Sequence, residues 1–317
     1  MKRMQSVSVL IPTLNAGPWL PRQLAALSAQ TAKIAEIILM DSQSDDETWK
    51  IAEADPRCRV ISVNRADFDH GGTRDLAARA AKGDYLWFLT QDAIPADEHC
   101  LQALLDAAQA PAVACAYGRQ LAEAGAPILE ALNREANYPA QSFTRGQEDI
   151  ERLQVRAFFL SDTCCLYKRE AYFACGGFEK DLPTNEDMLF AARLLRGGYR
   201  TAYCAQARVW HTHKTTLKGW YRRSFDVGAF MEMYGERLCG VKAAGAGKRY
   251  ALDILKKLLK KGRVFSCFHF CLVCFVRLLG DRDGRRYKRF SEQTVLKKTQ
   301  NRAFWRRYFA RRSAEKQ

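Results

Sequence analysis

Four times within the first 108 residues a short apolar run gives way to a segment of helical period: Val7–Ile11 then Leu20–Gln30, Ile34–Met40 then Glu47–Ala54, Val60–Val63 then Gly72–Ala81, and Tyr85–Leu89 then Glu98–Ala108. Parallel strands need a crossover between them, usually a helix, and that crossover is right-handed. The alternation therefore predicts an α/β fold with a mainly parallel sheet flanked by helices. Ligands of such sheets collect outside the carboxyl ends of the strands. Those ends read Pro12-Thr13-Leu14-Asn15, Asp41-Ser42-Gln43-Ser44-Asp45-Asp46, Asn64 with Phe68-Asp69-His70-Gly71-Gly72-Thr73-Arg74-Asp75, and Thr90-Gln91-Asp92. All four are polar. Further on, Asp162–Tyr167 reads as a strand, Arg169–Cys175 as a short helix, and Asn185-Glu186-Asp187 opens a helix to Arg196, where acids suit the positive end of the dipole. The stretch Tyr117–Arg156 has no clear period.

The formal charge of +15 has an uneven home: residues through His213 sum to −4 and the rest to +19. Two regions follow, 1–213 as the α/β domain and 214–317 as a basic α-helical extension. Leu252, Leu255, Leu258 and Leu259 fall at helical spacing among Lys256, Lys257, Lys260 and Lys261, and Phe304, Trp305, Tyr308 and Phe309 alternate with Arg306, Arg307, Arg311 and Arg312. Such basic amphipathic helices call for an anionic partner, acidic lipid headgroups or nucleic acid. Val264–Leu279 contains Ser266, His269 and Arg277 and falls short of the ~20 apolar residues of a membrane span, so it is expected to lie on a membrane rather than cross one. The apolar run after Met1-Lys2-Arg3 ends at Pro12 and reads as a strand instead of an export signal; with eleven cysteines, an odd number, the reduced cytosol is the expected compartment. Cys267, Cys271 and Cys274 trace one face of an apolar helix, which favours packing over a zinc site.

Asp92 follows the apolar strand Tyr85–Leu89, so its carboxylate falls at the working edge of the sheet. One or two carboxylates plus substrate phosphates is the usual way of holding Mg²⁺. Asp41, Asp45, Asp46 and Asp187 at the same edge can grip a nucleotide, help hold a metal and supply a general base. Taken singly, each is equally well a capping residue.

In their order, Val7–Asn15 and Ile38–Thr48 resemble the nucleotide-binding opening of inverting GT-A glycosyltransferases of family 2. Phe68–Asp75, Val209–Lys214 and Phe225-Asp226-Val227-Gly228 resemble its rhamnosyltransferase branch. The resemblance implies a GT-A fold over roughly residues 6–230, with Asp41 meeting the base, Asp92 as the metal acid of an Asp-x-Asp position and Asp187 as catalytic base. It further implies that Pro12, Thr13, Asn15, Asp46, His70, Gly71, Gly72, Arg74 and Gln91 line the donor. His211 and His213 join Asp92 at the metal, and Glu186 and Lys214 face the acceptor or the diphosphate. Two departures stand out: Thr90-Gln91-Asp92 keeps only the second acid of Asp-x-Asp, and Asp75 replaces a usual Asn.

The implied reaction is a single displacement assisted by Mg²⁺ or Mn²⁺, moving L-rhamnose from dTDP-β-L-rhamnose to a lipid-linked glycan acceptor of O-antigen or capsule synthesis, on the cytoplasmic face of the inner membrane. A UDP-sugar donor is the alternative. A nucleotidyltransferase would need a basic phosphate loop after the first strand, which Pro12–Gly17 lacks. A nucleic-acid binder accounts for the tail but leaves acids at the strand ends to repel phosphate, so no nucleic-acid partner is expected.

Overall fold

The computed structural model describes residues 5–213, 215–238 and 246–315. The chain divides into two compact units, one comprising residues up to Ala124, 138–180 and 186–212, the other Gly125–Asn137, Asp181–Asn185 and the residues from His213 onward. A boundary drawn on charge alone at His213 leaves out the two interior segments of the second unit.

The first unit runs β1 (Val7–Thr13), α1 (Leu20–Ser28), β2 (Ile34–Asp41), α2 (Thr48–Glu53), β3 (Cys58–Ser62), α3 (His70–Ala80), β4 (Tyr85–Leu89), β5 (Ile94–Pro95), α4 (Cys100–Ala108) and β6 (Val113–Leu121). The chain then lends α5 (Ile128–Asn137) to the second unit and returns through β7 (Phe143–Arg145), α6 (Asp149–Leu153), β8 (Cys164–Lys168), α7 (Arg169–Ala174), α8 (Glu186–Arg196) and β9 (Arg200–Trp210). The strand order is β3-β2-β1-β4-β8-β6-β9-β5, with β7 also on β9. β3, β2, β1 and β4 are parallel neighbours, as are β6 and β9; β8 runs antiparallel between β4 and β6, and the short β5 and β7 run antiparallel to β9. The expected mainly parallel α/β sheet is therefore present. Helices on both faces explain why β4 is buried at every position and reads as a continuous apolar run.

The reversal of β8 matters for chemistry. Because Leu89 pairs with Cys164, the start of β8 lies beside the carboxyl end of β4. Thr90 N donates to Thr163 O there at 3.3 Å. Asp162 thereby joins the edge where β1, β2 and β4 finish.

The second unit contains α9 (Leu217–Leu238), α10 (Ala246–Lys260), α11 (Val264–Arg285), α12 (Glu292–Lys298) and α13 (Arg302–Ala314). Helix α11 lies against α9 where Gly280 and Gly284 leave room: a Cβ on either would collide with a carbonyl of α9, that of Tyr221 or Phe225. Helix α5 belongs here because Leu132 packs with Ile254, Leu258 and Phe270. Two expectations change. Phe304 and Trp305 are buried with Phe225, Ala229 and Tyr287 in the core of this unit, so the aromatic face of α13 is not a membrane face. In α10, Leu258 is buried while Leu252 and Leu259 are exposed, so the leucines serve two surfaces. Helix α11 is, by length and composition, long and apolar enough to cross a membrane.

Candidate active site

Thr13 and Asp41 end β1 and β2 and sit opposite each other in the parallel register. The buried Asp41 carboxylate accepts from Thr13 Oγ1 (3.0 Å) and Ser44 Oγ (2.5 Å) on one oxygen, and from Ser44 N and Trp49 Nε1 (both 2.8 Å) on the other. A carboxylate has about four lone-pair sites, so Asp41 is occupied in organising the loop after β2. A contact with a base requires Ser44 or Trp49 to give way. Asp46 also faces the protein, accepting from Thr48 N, Thr48 Oγ1 and Gly17 N. Burial works against its charge, but the hydrogen bonds from Thr48 and Gly17 hold its pKa below the ordinary carboxylate value. Asn15 takes a left-handed φ of 52°, which Asn tolerates, and its Oδ1 accepts from Asp45 N at 3.0 Å. Pro12 lies within β1, opposite Met40.

The middle residue of Thr90-Gln91-Asp92 has a local role of its own. Gln91 Nε2 donates to Leu14 O at 3.1 Å while its Oε1 accepts from Leu14 N at 2.8 Å. A carboxylate can only accept, so only the amide holds both groups of the β1–α1 loop.

Asp92 lies beside His211, with Oδ1 and Nε2 3.5 Å apart. The buried His211 ring is held from behind: its Nδ1 is 2.8 Å from Gln120 Oε1, and Gln120 Nε2 donates to Tyr138 Oη (2.6 Å) and Ser161 Oγ (2.9 Å). That arrangement places the His211 proton on Nδ1 and the lone pair on Nε2, facing Asp92. His213 follows two residues on, and ligand atoms of Asp92, His211 and His213 all lie within 4.8 Å of one another. One carboxylate and two imidazoles with an outer amide partner fit a divalent transition metal. Lys214 lies outside the described residues.

The second cluster is buried at the start of α8. Arg74 Nη1 donates to Glu186 Oε1 at 3.0 Å and to His70 O at 3.1 Å, and its Nε stands 4.0 Å from Asp162 Oδ2. Tyr167 Oη donates to the other Asp162 oxygen at 2.7 Å. Burial pushes Asp162 up to about 7, against the pull of Arg74. Asp187 is also raised well above the carboxylate range, first by burial and then by the neighbouring charges of Glu186 and Asp162.

The Gly71-Gly72 pair opens α3 under the Asp69 cap, Gly72 N donating to Asp69 Oδ1 at 2.6 Å. A Cβ on Gly71 would collide with the Glu179 carbonyl, so close packing accounts for that glycine. His70 is exposed, edge-on to Phe68 at 5.0 Å. Asp75 accepts from Arg79 Nε (2.8 Å) and Tyr172 Oη (3.2 Å), facing protein groups.

The contacts form one continuous edge: Asp41 to Thr13, Leu14 to Gln91, Asp92 to His211, and Thr90 to Thr163 with Asp162 leading to Arg74 and Glu186. Sequence reasoning missed Gln120, Asp162, Ser44 and Trp49 as members. Gln120 falls in the aperiodic stretch, and the apolar run after Asp162 marks a strand without marking its direction.

Residues 8–174 match Glycosyl transferase family 2. The chain is 33% identical over 302 residues to the O-antigen chain rhamnosyltransferase RfbN of Salmonella typhimurium, covering 94% of this chain and 96% of that one. It is 33% identical over 307 residues to the O-antigen chain rhamnosyltransferase WbaN of Salmonella anatum, covering 95% and 96%. Among solved structures, the mannosyltransferase PcManGT of Pyrobaculum calidifontis, in complex with GDP-Man and Mn²⁺, superposes with a TM-score of 0.60 at 14% identity over 91% of this chain and 89% of that one. TarS of S. aureus with UDP-GlcNAc does so at 0.54 and 15% identity, over 89% of both. With the GT-A architecture shared and the family match spanning more than half its length, the chain belongs to glycosyltransferase family 2 and is a glycosyltransferase.

Proposed function

We propose that this enzyme transfers L-rhamnose from dTDP-β-L-rhamnose to a hydroxyl of a lipid-linked glycan in O-antigen synthesis, inverting the anomeric centre. The near full-length likeness to two O-antigen rhamnosyltransferases carries this reading. The acceptor's lipid anchor and the +19 charge of the residues after His213 together favour work at an anionic membrane surface, on the cytoplasmic face of the inner membrane.

Asp187 acts as general base. Its raised affinity for a proton suits it to take one from the acceptor hydroxyl as oxygen attacks the anomeric carbon and the bond to the diphosphate breaks. Arg74 and Glu186 fix the start of α8 and so the direction from which Asp187 acts. Asp92, His211 and His213 would hold Mn²⁺ or Mg²⁺, which when bound neutralises charge on the diphosphate; two imidazoles make Mn²⁺ the better match. Gln120 keeps His211 turned toward Asp92. Gln91 keeps the β1–α1 loop in place for the donor.

A nucleotide-release assay across dTDP-, UDP- and GDP-sugars, with and without Mn²⁺, on wild type and Asp92→Ala tests this. Release from dTDP-rhamnose that depends on metal and on Asp92 is expected. Turnover confined to a UDP- or GDP-sugar overturns the donor assignment.

A further inference from the structure

A cavity of about 310 Å³ lies wholly within the second unit, among α5, α9, α10 and α11. Three aromatic side chains line it, Trp220 of α9, Tyr250 of α10 and Phe270 of α11. Its charge is basic. Glu130 lines it, but Arg134 neutralises that carboxylate at 2.8 Å. Arg277 lies 5.1 Å over the Trp220 ring and hydrogen-bonds the Tyr250 side chain, which leaves its other N–H groups for a ligand, and among the described residues no carboxylate is in ion-pair range of it. A guanidinium stacked on an aromatic face stays charged and keeps its edge available for a phosphate.

The mouth is apolar. Phe265 lines the cavity and is 91% exposed. From it Phe268, Leu272, Phe275 and Leu278 continue along one face of α11, all exposed. Spacings of three and four residues put them in a single stripe. Lys256, Lys257, Lys260, Lys261 and Arg263 precede the stripe in sequence. An aromatic, cationic pocket whose rim leads onto a hydrocarbon-compatible stripe is complementary to a molecule with a phosphate at one end and a long apolar chain at the other.

We propose that this cavity binds the phosphate end of a prenyl-diphosphate-linked acceptor, with Arg277 contacting phosphate oxygens and the prenyl chain running along the Phe265–Leu278 stripe. The inference rests on the lipid-linked acceptor of the preceding reading and adds the place where that lipid is held.

The test is binding of farnesyl diphosphate to the full-length protein by isothermal titration calorimetry, with inorganic pyrophosphate and dTDP as separate arms. Wild type is expected to bind farnesyl diphosphate at least ten times more tightly than pyrophosphate. Arg277→Ala should weaken it at least tenfold, Arg277→Lys less, and dTDP binding by both variants should remain at the wild-type level, reporting an intact donor site. Ser266→Phe, which fills the cavity from α11 without touching Arg277, should also lose farnesyl diphosphate. Equal affinity in wild type, Arg277→Ala and Ser266→Phe overturns the cavity assignment and leaves a lipid-linked acceptor standing. If wild type ignores farnesyl diphosphate yet glycosylates a lipid-free acceptor, the cavity assignment falls together with the lipid reading. Pyrophosphate bound as tightly as the prenyl compound overturns the role of the stripe.

Discussion

Gln91 and Asp187 carry the most specific consequences at the scale of single residues. Gln91→Glu keeps the length but loses the donor to Leu14 O, so a carboxylate faces a carbonyl. Because the contact is exposed, its cost is about 0.5–1.5 kcal/mol, measurable as a lower chemical-denaturation midpoint with unchanged slope. Asp187→Asn removes the base while leaving a side chain of the same shape; a fall in kcat of about 10²–10⁴ with donor affinity retained is expected. The pH profile follows from the raised affinity of Asp187 for its proton. Only the deprotonated form serves as base, so kcat should rise with pH through a value above the usual carboxylate range. An acid limb near pH 4 in steady-state kinetics would refute this. Asp41, Asp46 and Asp187 all looked alike in the sequence as acids next to an element boundary. Their difference lies in what surrounds them: donors saturate the first two, while burial beside other acids raises the third.

At the scale of elements, the packing of α11 on α9 depends on absent side chains. Gly284→Ala places a methyl against the Phe225 carbonyl and is expected to lower stability by about 1–3 kcal/mol. Gly247→Ala in α10, where an added Cβ meets nothing, should be neutral or raise stability by up to about 1 kcal/mol. Thermal unfolding of the two variants side by side checks the pair. Asp226 ties α9 to the α12–α13 loop, accepting from Thr299 Oγ1, Gln300 N, Asn301 N and Trp305 Nε1. Burial lifts it from 3.8 to about 6 despite those donors. The folded protein then holds a proton that the unfolded chain has released, so this residue's contribution to stability declines as pH rises from 3.8 to about 6. Asp226→Asn should flatten that slope in denaturant titrations. The motif Phe225-Asp226-Val227-Gly228 serves helix packing: a Cβ on Gly228 would collide with the Asp281 carbonyl.

For the molecule as a whole, charge and exposed apolar surface converge on the second unit. Binding to vesicles containing phosphatidylglycerol should weaken as salt rises, because each basic residue near an anionic surface is worth about 1 kcal/mol and is screened by salt. Phe265→Ser with Phe268→Ser should reduce binding at low salt as well, since these side chains are 91% and 71% exposed. Flotation unchanged in the double variant would exclude α11 as the contacting face.

Period and composition were enough to establish the α/β class, the strand ends that bear the acids, and the basic character of the last third, because these follow from local repeats and charge counts along the chain. Tertiary structure alone decided the rest. Reversal of β8 delivers Asp162 to the site, Gln120 reaches His211 across 91 residues, and Phe304 and Trp305 are buried although their local pattern resembles that of an exposed amphipathic helix. Each of these depends on which surfaces meet, and a pattern of apolar and polar residues marks a face for burial without naming the partner that buries it.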